Sequence, residues 1–367
     1  MRKFFNSRTA SLIAVIMILV LAVSLTGCNS QNVPDESSAD LNTDSATRIF
    51  VDLAGAEVEL PKEINNVVHL WPASTALQVF LGSGEKITGT LAAVQKGWGW
   101  LTAASPNLMD VQGFTSTPTV EELVALDPDV VITPKKEDAE YFRANGIPAV
   151  CMLAKEDIDS LKEMIVKMGE LLGEKEAARA NEYIEYLDGN IAKVKDALKD
   201  IKDEDKPVIY YNSAQKGDSP LLTCGDDSIV ATWMDICNVK NAVSGTITGM
   251  DKEVAMEVIA AANPDYILVG GTSQDKAWEA ILADQAWQGL TAVQKGKMLK
   301  NPQGVMKWEK FGVEIALQIL WFSKEIYPDK MQDVDLKAEV QDFYQKYYNF
   351  KLTDELYADL ISGKGRP

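Results

Sequence analysis

The chain has 367 residues, of which 46% are hydrophobic and 25% are charged, so it is globular and long enough to bury two hydrophobic cores. Its formal net charge is −18. Because binding to phosphates requires clustered cations, so acidic a chain argues against nucleic acid as a partner.

The first 27 residues have the layout of a secretory signal peptide. A basic segment precedes an unbroken apolar run over residues 12–23, which is too short to span a membrane comfortably, and Leu25-Thr26-Gly27-Cys28 follows. The tetrapeptide resembles the lipobox of bacterial lipoproteins, which implies cleavage before Cys28 and lipidation of that residue. We therefore expect a lipid anchor on the extracytoplasmic face of the cell membrane. An uncleaved anchor, the alternative, would still leave the remainder outside the membrane. Residues 28–47 are rich in Ser, Asp and Asn and are predicted to form a disordered tether.

Alternating strand and helix patterns begin at Arg48 and predict an α/β fold with mostly parallel sheets covered on both faces. The first lobe, residues 48–173, opens with a small hairpin at 49–53 and 56–60. Its other predicted elements are strands at 67–70, 87–90, 130–132 and 149–152 and helices at 75–81 and 138–145.

The longest predicted helix covers residues 174–202. Its apolar residues recur at alternating steps of three and four, which is the stripe of one amphipathic helix. They are Ala177, Ala180, Ile184, Leu187, Ile191, Val194, Leu198 and Ile201. At 1.5 Å per residue the helix would be roughly 40 Å long, more than one small lobe needs. We interpret it as a spine joining two lobes; a surface helix or a coiled-coil arm is the alternative that its spacing allows.

The second lobe, residues 203–367, repeats the order of the first. Its predicted strands are 207–211, 266–269 and 297–299, and its predicted helices are 228–237, 278–281, 312–326, 338–348 and 354–361.

One motif occurs once on each side of the spine, at residues 119–133 and 255–269. In each copy a helix stops at the residue before a proline, Pro128 or Pro264, because that residue avoids the helical region, and an apolar strand follows. Glu121 and Glu257 each stand seven residues before the proline. Seven residues are two turns, so each glutamate is predicted at a helix start, where the helix dipole favours an anion.

With these features the chain resembles the bacterial substrate-binding proteins for vitamin B12, ferric siderophores and haem. The resemblance extends over about residues 48–328. It rests on the twin repeats, on the sequence Val-Val-His-Leu-Trp-Pro-Ala-Ser-Thr at residues 67–75, on Ile87-Thr88-Gly89, and on Trp308 ahead of a closing helix. It implies two Rossmann-like lobes joined by a single long helical spine, with function in the cleft between them.

The resemblance also implies partners. In that family a glutamate at this place in each lobe docks into arginine pockets on the membrane permease of an ABC importer, which works with an ATPase. The matching residues here are Glu121 and Glu257, for which helix capping is the alternative role. The cargo would be a metal chelate of the iron-siderophore type, or haem or a corrinoid, bound by a monomer without resident cofactor or resident metal.

Ligands of open α/β sheets collect beyond the carboxyl ends of the strands, which makes the aromatic rings of those loops candidates for binding. Trp98 and Trp100 lie in a glycine-flexed loop, and Trp71 and Trp308 follow strands. Exposed rings stack well on planar or apolar ligands. The alternative is that these rings cover the core of their own lobe.

Cations in the same loops could supply charge to a ligand. They are Lys135, Lys136, Lys216, Lys307 and Lys310, for which plain solvation is the alternative. Relatives that bind anionic ferric catecholates use arginine clusters, whereas after residue 48 this chain has only Arg143, Arg179 and Arg366. The scarcity of arginine favours a less anionic, more apolar chelate.

His69 is the only histidine. It follows a predicted buried strand, so it is either a neutral, hydrogen-bonded imidazole near the core or a ligand to haem iron or corrinoid cobalt. A bare Zn²⁺ or Mn²⁺ site needs several convergent ligands, which disfavours that class of cargo.

Three cysteines, Cys151, Cys224 and Cys237, remain after processing. An exported protein allows one disulfide, for which Cys224 and Cys237 are the closer pair in sequence, or all three could stay reduced.

Catalytic motifs are absent from the sequence. It contains no Gly-x-Ser-x-Gly, no His-Glu-x-x-His and no second histidine to complete a catalytic triad, so we predict a binding protein. A hydrolase with paired carboxylates and an adhesin on the same scaffold are the alternatives.

Overall fold

The computed structural model describes residues 46–215 and 219–366. The predicted signal peptide, Cys28 and most of the predicted tether lie outside the described residues, and so does Lys216. Within the described part of the chain, no helix is both long and apolar enough to cross a membrane.

An antiparallel hairpin precedes the first lobe, as predicted. Strand β1 (Thr47–Val51) pairs with β2 (Glu57–Pro61). The Asp52 carboxylate accepts hydrogen bonds from the backbone amides of Ala54 and Ala56 at 2.9 and 2.8 Å, and Gly55 takes the positive φ of 79° that the turn requires.

Five parallel strands form the sheet of the N-terminal lobe, in the order β5-β4-β3-β6-β7. They are β3 (Val67–His69), β4 (Ile87–Leu91), β5 (Gln112–Phe114), β6 (Val130–Thr133) and β7 (Ala149–Cys151). Four of them confirm predicted strands. Strand β5 was expected to be a loop, because its three residues carry too little apolar pattern to indicate a strand.

Six helices cover this sheet. They are α1 (Pro72–Leu81), α2 (Ala92–Gly97), α3 (Gly99–Ala104), α4 (Val120–Val124), α5 (Lys136–Ala144) and α6 (Ile158–Leu172). The expectation of a glycine-flexed loop at 92–101 is wrong. Two short helices occupy it, separated at Trp98, whose backbone is not helical.

The predicted spine is helix α7 (Glu174–Leu198), 25 residues or about 37 Å long. It ends at Leu198 and not at the predicted residue 202. At this end the side-chain amide of Asn238 donates to the Leu198 carbonyl at 3.1 Å. Helix α6, absent from the prediction, packs along it. A Cβ on Gly169 of α6 would lie 2.8 Å from the Cα of Ala177, so only glycine permits this close approach.

The C-terminal lobe contains a second parallel sheet, in the order β10-β8-β12-β13, and a small antiparallel pair of β9 with β11. The strands are β8 (Val208–Asn212), β9 (Leu222–Thr223), β10 (Lys240–Asn241), β11 (Lys252–Glu253), β12 (Tyr266–Val269) and β13 (Met298–Lys300). The helices are α8 (Ile229–Ile236), α9 (Met256–Ala262), α10 (Gln274–Ala283), α11 (Thr291–Gln294), α12 (Ile315–Ile326), α13 (Leu336–Tyr348) and α14 (Asp354–Ile361). The fold is therefore α/β, with two lobes built on parallel sheets.

The repeated motif has the same structural role in both lobes. The residues before the two prolines, Asp127 and Asn263, have φ of 45° and 40°, so the chain leaves each helix through a left-handed residue. The aspartate after each proline then fixes the start of the neighbouring strand. Asp129 accepts from the Asn66 amide at 2.9 Å, and Asp265 accepts from the Val208 amide at 2.9 Å.

The last helices connect the two lobes. Phe80 on α1 stacks on Tyr347 of α13 with ring centroids 4.5 Å apart and meets Tyr183 of the spine edge-on at 5.0 Å. Arg179 of the spine donates to the Phe80 carbonyl at 2.7 Å and to the Tyr347 carbonyl at 2.6 Å. These contacts attach helix α13 of the C-terminal lobe to the spine and to α1 of the N-terminal lobe, and they oppose large motion between the lobes.

Candidate functional site

A cavity of about 300 Å³ lies between the lobes, at the carboxyl ends of both sheets. Its walls come from the segments that follow β3, β4, β7, β8 and β13, and from residues 250–251. The lining residues are Trp71, Pro72, Ala73, Trp98, Glu156, Gln215, Met250, Asp251, Met306, Lys307, Lys310 and Phe311.

Aromatic rings from both lobes meet across this cavity. Trp71 of the N-terminal lobe stacks on Phe311 of the C-terminal lobe, with ring centroids 5.8 Å apart and an interplanar angle of 29°. Trp98 lies under the ammonium of Lys307, which is 5.7 Å from the ring centroid. The structure thus brings together two of the four predicted tryptophans, and the role of both in ligand binding stays a prediction.

Trp308 and Trp100 do not line the cavity. Trp308 is completely buried and Trp100 is 4% exposed. Trp100 lies in helix α3 and packs edge-on against Tyr344 and Phe350. The expectation that these two rings face the cleft is therefore corrected: both cover the core of the protein, which was the alternative for each of them.

Side chains along the segment between β13 and α12 face either the cavity or the core. Met306, Lys307, Lys310 and Phe311 face the cavity, whereas Glu309 between them is completely buried. The Glu309 carboxylate accepts three hydrogen bonds. They come from Asn301 Nδ2 at 2.6 Å, the Gly271 amide at 2.8 Å and the Tyr211 hydroxyl at 3.3 Å. These bonds fix the position of the cavity wall on the second sheet.

Glu314 anchors the far end of the same segment. Its carboxylate accepts from the Met306 amide at 3.1 Å and from the Tyr344 hydroxyl at 3.0 Å. Burial raises the pKa of Glu314 to about 7. Gly304 leaves room for this arrangement, because a Cβ there would collide with the Tyr344 hydroxyl.

His69 is completely buried, with both ring nitrogens occupied. Nε2 lies 2.6 Å from Gln78 Oε1, and Gln78 donates its own amide to the Ser83 carbonyl, so Nε2 carries the hydrogen. Nδ1 lies 2.8 Å from Ser74 Oγ, whose one hydrogen is shared between Nδ1 and the Trp71 carbonyl. Burial lowers the pKa of His69 to about 4 and keeps the ring neutral.

The alternative of a neutral, hydrogen-bonded imidazole therefore describes His69, and its predicted contact with a ligand or its metal is corrected. Ser74 also lies 2.9 Å from the Trp71 carbonyl, so the histidine supports the start of α1 and, through it, the ring of Trp71. Among the described residues no group of three or more His, Cys, Asp or Glu side chains could hold a metal ion.

The predicted lysines fall into three groups. Lys307 and Lys310 line the cavity. Lys135 is exposed at the start of α5 and does not line it. Lys216 lies outside the described residues, although Gln215 beside it is part of the cavity wall.

Several cavity residues were absent from the prediction. Glu156 lies just after β7, and the rule about the carboxyl ends of strands would have found it had the loop after that strand been included. Met250 and Asp251 lie in irregular chain between β10 and β11, where no local pattern marks a binding site.

Cys151, Cys224 and Cys237 are free and buried, so of the two alternatives the one in which all three stay reduced describes them. Cys237 lies at the end of α8, with its sulfur 3.7 Å from the Ile319 carbonyl. Burial raises the pKa of Cys224 to about 11 and that of Cys237 to about 12, which keeps both thiols protonated.

Glu121 and Glu257 are both exposed, each as the second residue of its helix, α4 or α9. The capping function at α4 belongs to Glu122, whose carboxylate accepts from the Thr119 amide at 2.7 Å. Helix α4 connects β5 to β6 of the same parallel sheet, and in such a crossover the helix begins at the edge where the preceding strand ends, so Glu121 lies on the cleft side of its lobe.

His69 and Glu314 are expected to make stability depend on pH in opposite directions. His69 has a lowered folded pKa, so its contribution is present above pH 6.5 and is lost as the pH falls through about 4. Glu314 has a raised folded pKa, so its contribution is present below pH 4.5 and is lost as the pH rises through about 7. At about 1.4 kcal/mol per pKa unit, each group contributes about 3 kcal/mol.

Denaturant unfolding between pH 4.5 and 6.5 measures these contributions separately. In the native protein the two slopes oppose each other. Relative to the native protein, His69→Gln should lose stability as the pH rises through this window, because the opposing contribution of His69 is removed, and Glu314→Gln should gain stability. A change of slope of the same sign in both variants would contradict the assignment.

Comparisons with known proteins agree with this architecture. The family model described as "Periplasmic binding protein" matches residues 68–303. The chain is 28% identical over 329 residues to the molybdate-binding protein MolA of Haemophilus influenzae, across 83% of this chain and 91% of MolA. The structure of MolA bound to molybdate, the cognate periplasmic binding protein of an ABC transporter, matches with a TM-score of 0.72 at 25% identity. That match covers 83% of this chain and 99% of the MolA chain.

Two further relatives match most of the chain. An uncharacterized ABC transporter substrate-binding lipoprotein of Bacillus subtilis, YvrC, is 23% identical over 322 residues, across 86% of this chain and 97% of that protein. A cobalamin-binding protein of Halobacterium salinarum is 27% identical over 270 residues, across 72% of this chain and 70% of that protein.

Proposed function

The chain belongs to the periplasmic binding protein family, and from that membership we propose that it is the lipid-anchored substrate-binding protein of an ABC importer. It captures a metal chelate, of the iron-siderophore type or a haem or corrinoid, and delivers it to a membrane permease and its ATPase. The anchor is Cys28, a proposal supported by the lipobox-like sequence and by the lipoprotein relative YvrC.

The cavity between the two lobes is the observation that carries this proposal. Its position at the carboxyl ends of both sheets is where α/β proteins bind ligands, and each lobe supplies at least one aromatic wall. Trp71, Trp98 and Phe311 suit a ligand with a planar or apolar surface. Relatives that bind molybdate and cobalamin share the fold, so the choice of ligand depends on these side chains and not on the scaffold.

Delivery requires contact with the permease. Glu121 and Glu257 are the proposed docking residues, one on each lobe, and both are exposed, with no hydrogen bond or ion pair from either side-chain carboxylate to another described residue. Aromatic side chains of α1, α7 and α13 pack together and limit the motion of the two lobes. The distance between Glu121 and Glu257 should therefore change little on ligand binding, so the permease would meet a nearly rigid protein.

Binding can be tested by titrating the purified mature protein with a ferric siderophore, haem and cobalamin while following tryptophan fluorescence. We expect at least one of them to bind at micromolar concentration or below. Trp98→Ala should weaken that binding about tenfold or more, because the ring loses its stacking contact with the ligand.

Trp278→Ala provides the matched control. Trp278 is half-buried on α10, does not line the cavity, and lies under the Lys300 ammonium much as Trp98 lies under Lys307. Its substitution should leave the affinity unchanged. If none of the three chelates changes the fluorescence, the proposed cargo class is wrong.

A further inference from the structure

The described residues of the cavity wall include two acidic and two basic side chains, but only one acid and one base form an ion pair with each other. Glu156, Asp251, Lys307 and Lys310 all line the cavity. Lys310 lies 3.4 Å from the Asp251 carboxylate, so these two neutralise each other. Neither Glu156 nor Lys307 has an ion-pair partner within residues 46–215 and 219–366.

Lys307 is the cation left available to a ligand. Its ammonium lies over the Trp98 ring, and burial lowers its pKa, which shows that water hydrates the charge poorly there. The Glu309 carboxylate is close enough to favour the charge, but it is already committed to three hydrogen bonds from the protein. A ligand anion would therefore gain a partner at low desolvation cost.

We propose that the cavity recognises a ligand that has an aromatic or apolar body and one anionic group, and that it rejects compact oxyanions such as molybdate. The body stacks on Trp98 and on the Trp71–Phe311 pair, and the anion pairs with Lys307. This inference rests on the proposed role of the cavity as the ligand site.

Glu156 provides the selection against oxyanions, because it is the carboxylate of the cavity wall that has no ion-pair partner among the described residues. Burial raises the pKa of Glu156, and the nearby Asp251 raises it further, whereas Lys310 acts against both effects. Among the described residues of the wall, a small dianion in this space would find one uncommitted cation beside the uncommitted carboxylate of Glu156, and it would leave the apolar wall uncovered. A larger ligand with a single anion can keep that group at Lys307 and place its apolar surface against the rings.

The test uses two fluorescent probes with the same body. 1-Anilinonaphthalene-8-sulfonate carries one anion, and N-phenyl-1-naphthylamine is the same structure without the sulfonate. The mature protein should bind the sulfonate about tenfold more tightly, since a charge-assisted contact is worth about that factor. Energy transfer from tryptophan to the probe, reduced in Trp98→Phe, locates the probe in the cavity.

Lys307→Met should bring the affinity ratio of the two probes to about one, while Lys135→Met, an exposed lysine outside the cavity, should leave it unchanged. Lys307→Gln serves as a second uncharged variant if the methionine variant does not fold. Glu156→Gln should raise the affinity for the sulfonate. Molybdate at about a millimolar should not displace it.

Three results would overturn the inference: no binding of the sulfonate to the native cavity, an unchanged ratio in both Lys307 variants, or displacement of the sulfonate by molybdate. Failure of the transport role would look different, because cells would then show no uptake dependent on this protein although the probe ratio and its loss in Lys307→Met persist.

Discussion

Reversal of charge at both proposed docking residues, Glu121→Lys with Glu257→Lys, is expected to abolish uptake of the ligand by cells while the affinity of the purified protein for it stays the same. Both side chains are exposed and bond to no described residue, so their replacement should change the free energy of unfolding by less than about 0.5 kcal/mol. Two lysines facing basic pockets on the permease would replace two attractive contacts by repulsive ones. Uptake of labelled ligand, measured beside a binding titration, checks this.

A matched control has the same change in net charge at exposed positions elsewhere. Glu63→Lys with Glu253→Lys meets that requirement and should leave uptake near the native level. Glu122 is unsuitable as a control, because it closes the capping box of α4 with Thr119. Normal uptake in the Glu121 and Glu257 variant would show that these two acids do not dock the protein to a permease.

Glu309→Ala is expected to destabilise the protein by about 3 to 5 kcal/mol and to remove ligand binding. The substitution leaves Asn301 Nδ2, the Gly271 amide and the Tyr211 hydroxyl buried without their acceptor. It also opens a space beneath the cavity wall. Denaturant unfolding gives the loss of stability, and hydrogen exchange of the amides at 305–311 should rise above that of the sheet strands.

Glu279→Ala, an exposed carboxylate on α10, is the corresponding control and should change stability by less than about 0.5 kcal/mol. If Glu309→Ala were as stable as this control, the buried carboxylate would not be the anchor of the cavity wall.

The order of elements was largely predictable from the sequence, because strands and helices leave local patterns. The spine was recognisable from its apolar stripe, and the twin motifs located equivalent helix-to-strand junctions in the two lobes. Elements with weak patterns were missed, such as the three-residue β5 and the helices on either side of Trp98.

The direction in which a side chain points was less predictable than the loop that carries it. Trp308 and Lys307 are neighbours in one segment, yet one is buried in the core and the other faces the cavity. That difference depends on the anchoring of Glu309 and Glu314, whose partners lie in distant parts of the chain. Sequence spacing alone does not contain this information.

The pairing of charged side chains in the cavity was also not predictable from the sequence. The scarcity of arginine argued against an arginine cluster, but the pairing of Lys310 with Asp251 joins residues 59 positions apart in the sequence. Only the fold shows that Lys307 is the lysine of the cavity wall that has no ion-pair partner among the described residues.

The most direct test of a ligand site between the lobes is an anomalous diffraction measurement on crystals of the mature protein saturated with a bound metal chelate. We predict an anomalous peak for the metal inside the cavity, within contact distance of a ligand that stacks on Trp71 or Trp98. A metal peak elsewhere on the protein, with the cavity between Trp98 and Phe311 unchanged, would contradict this account.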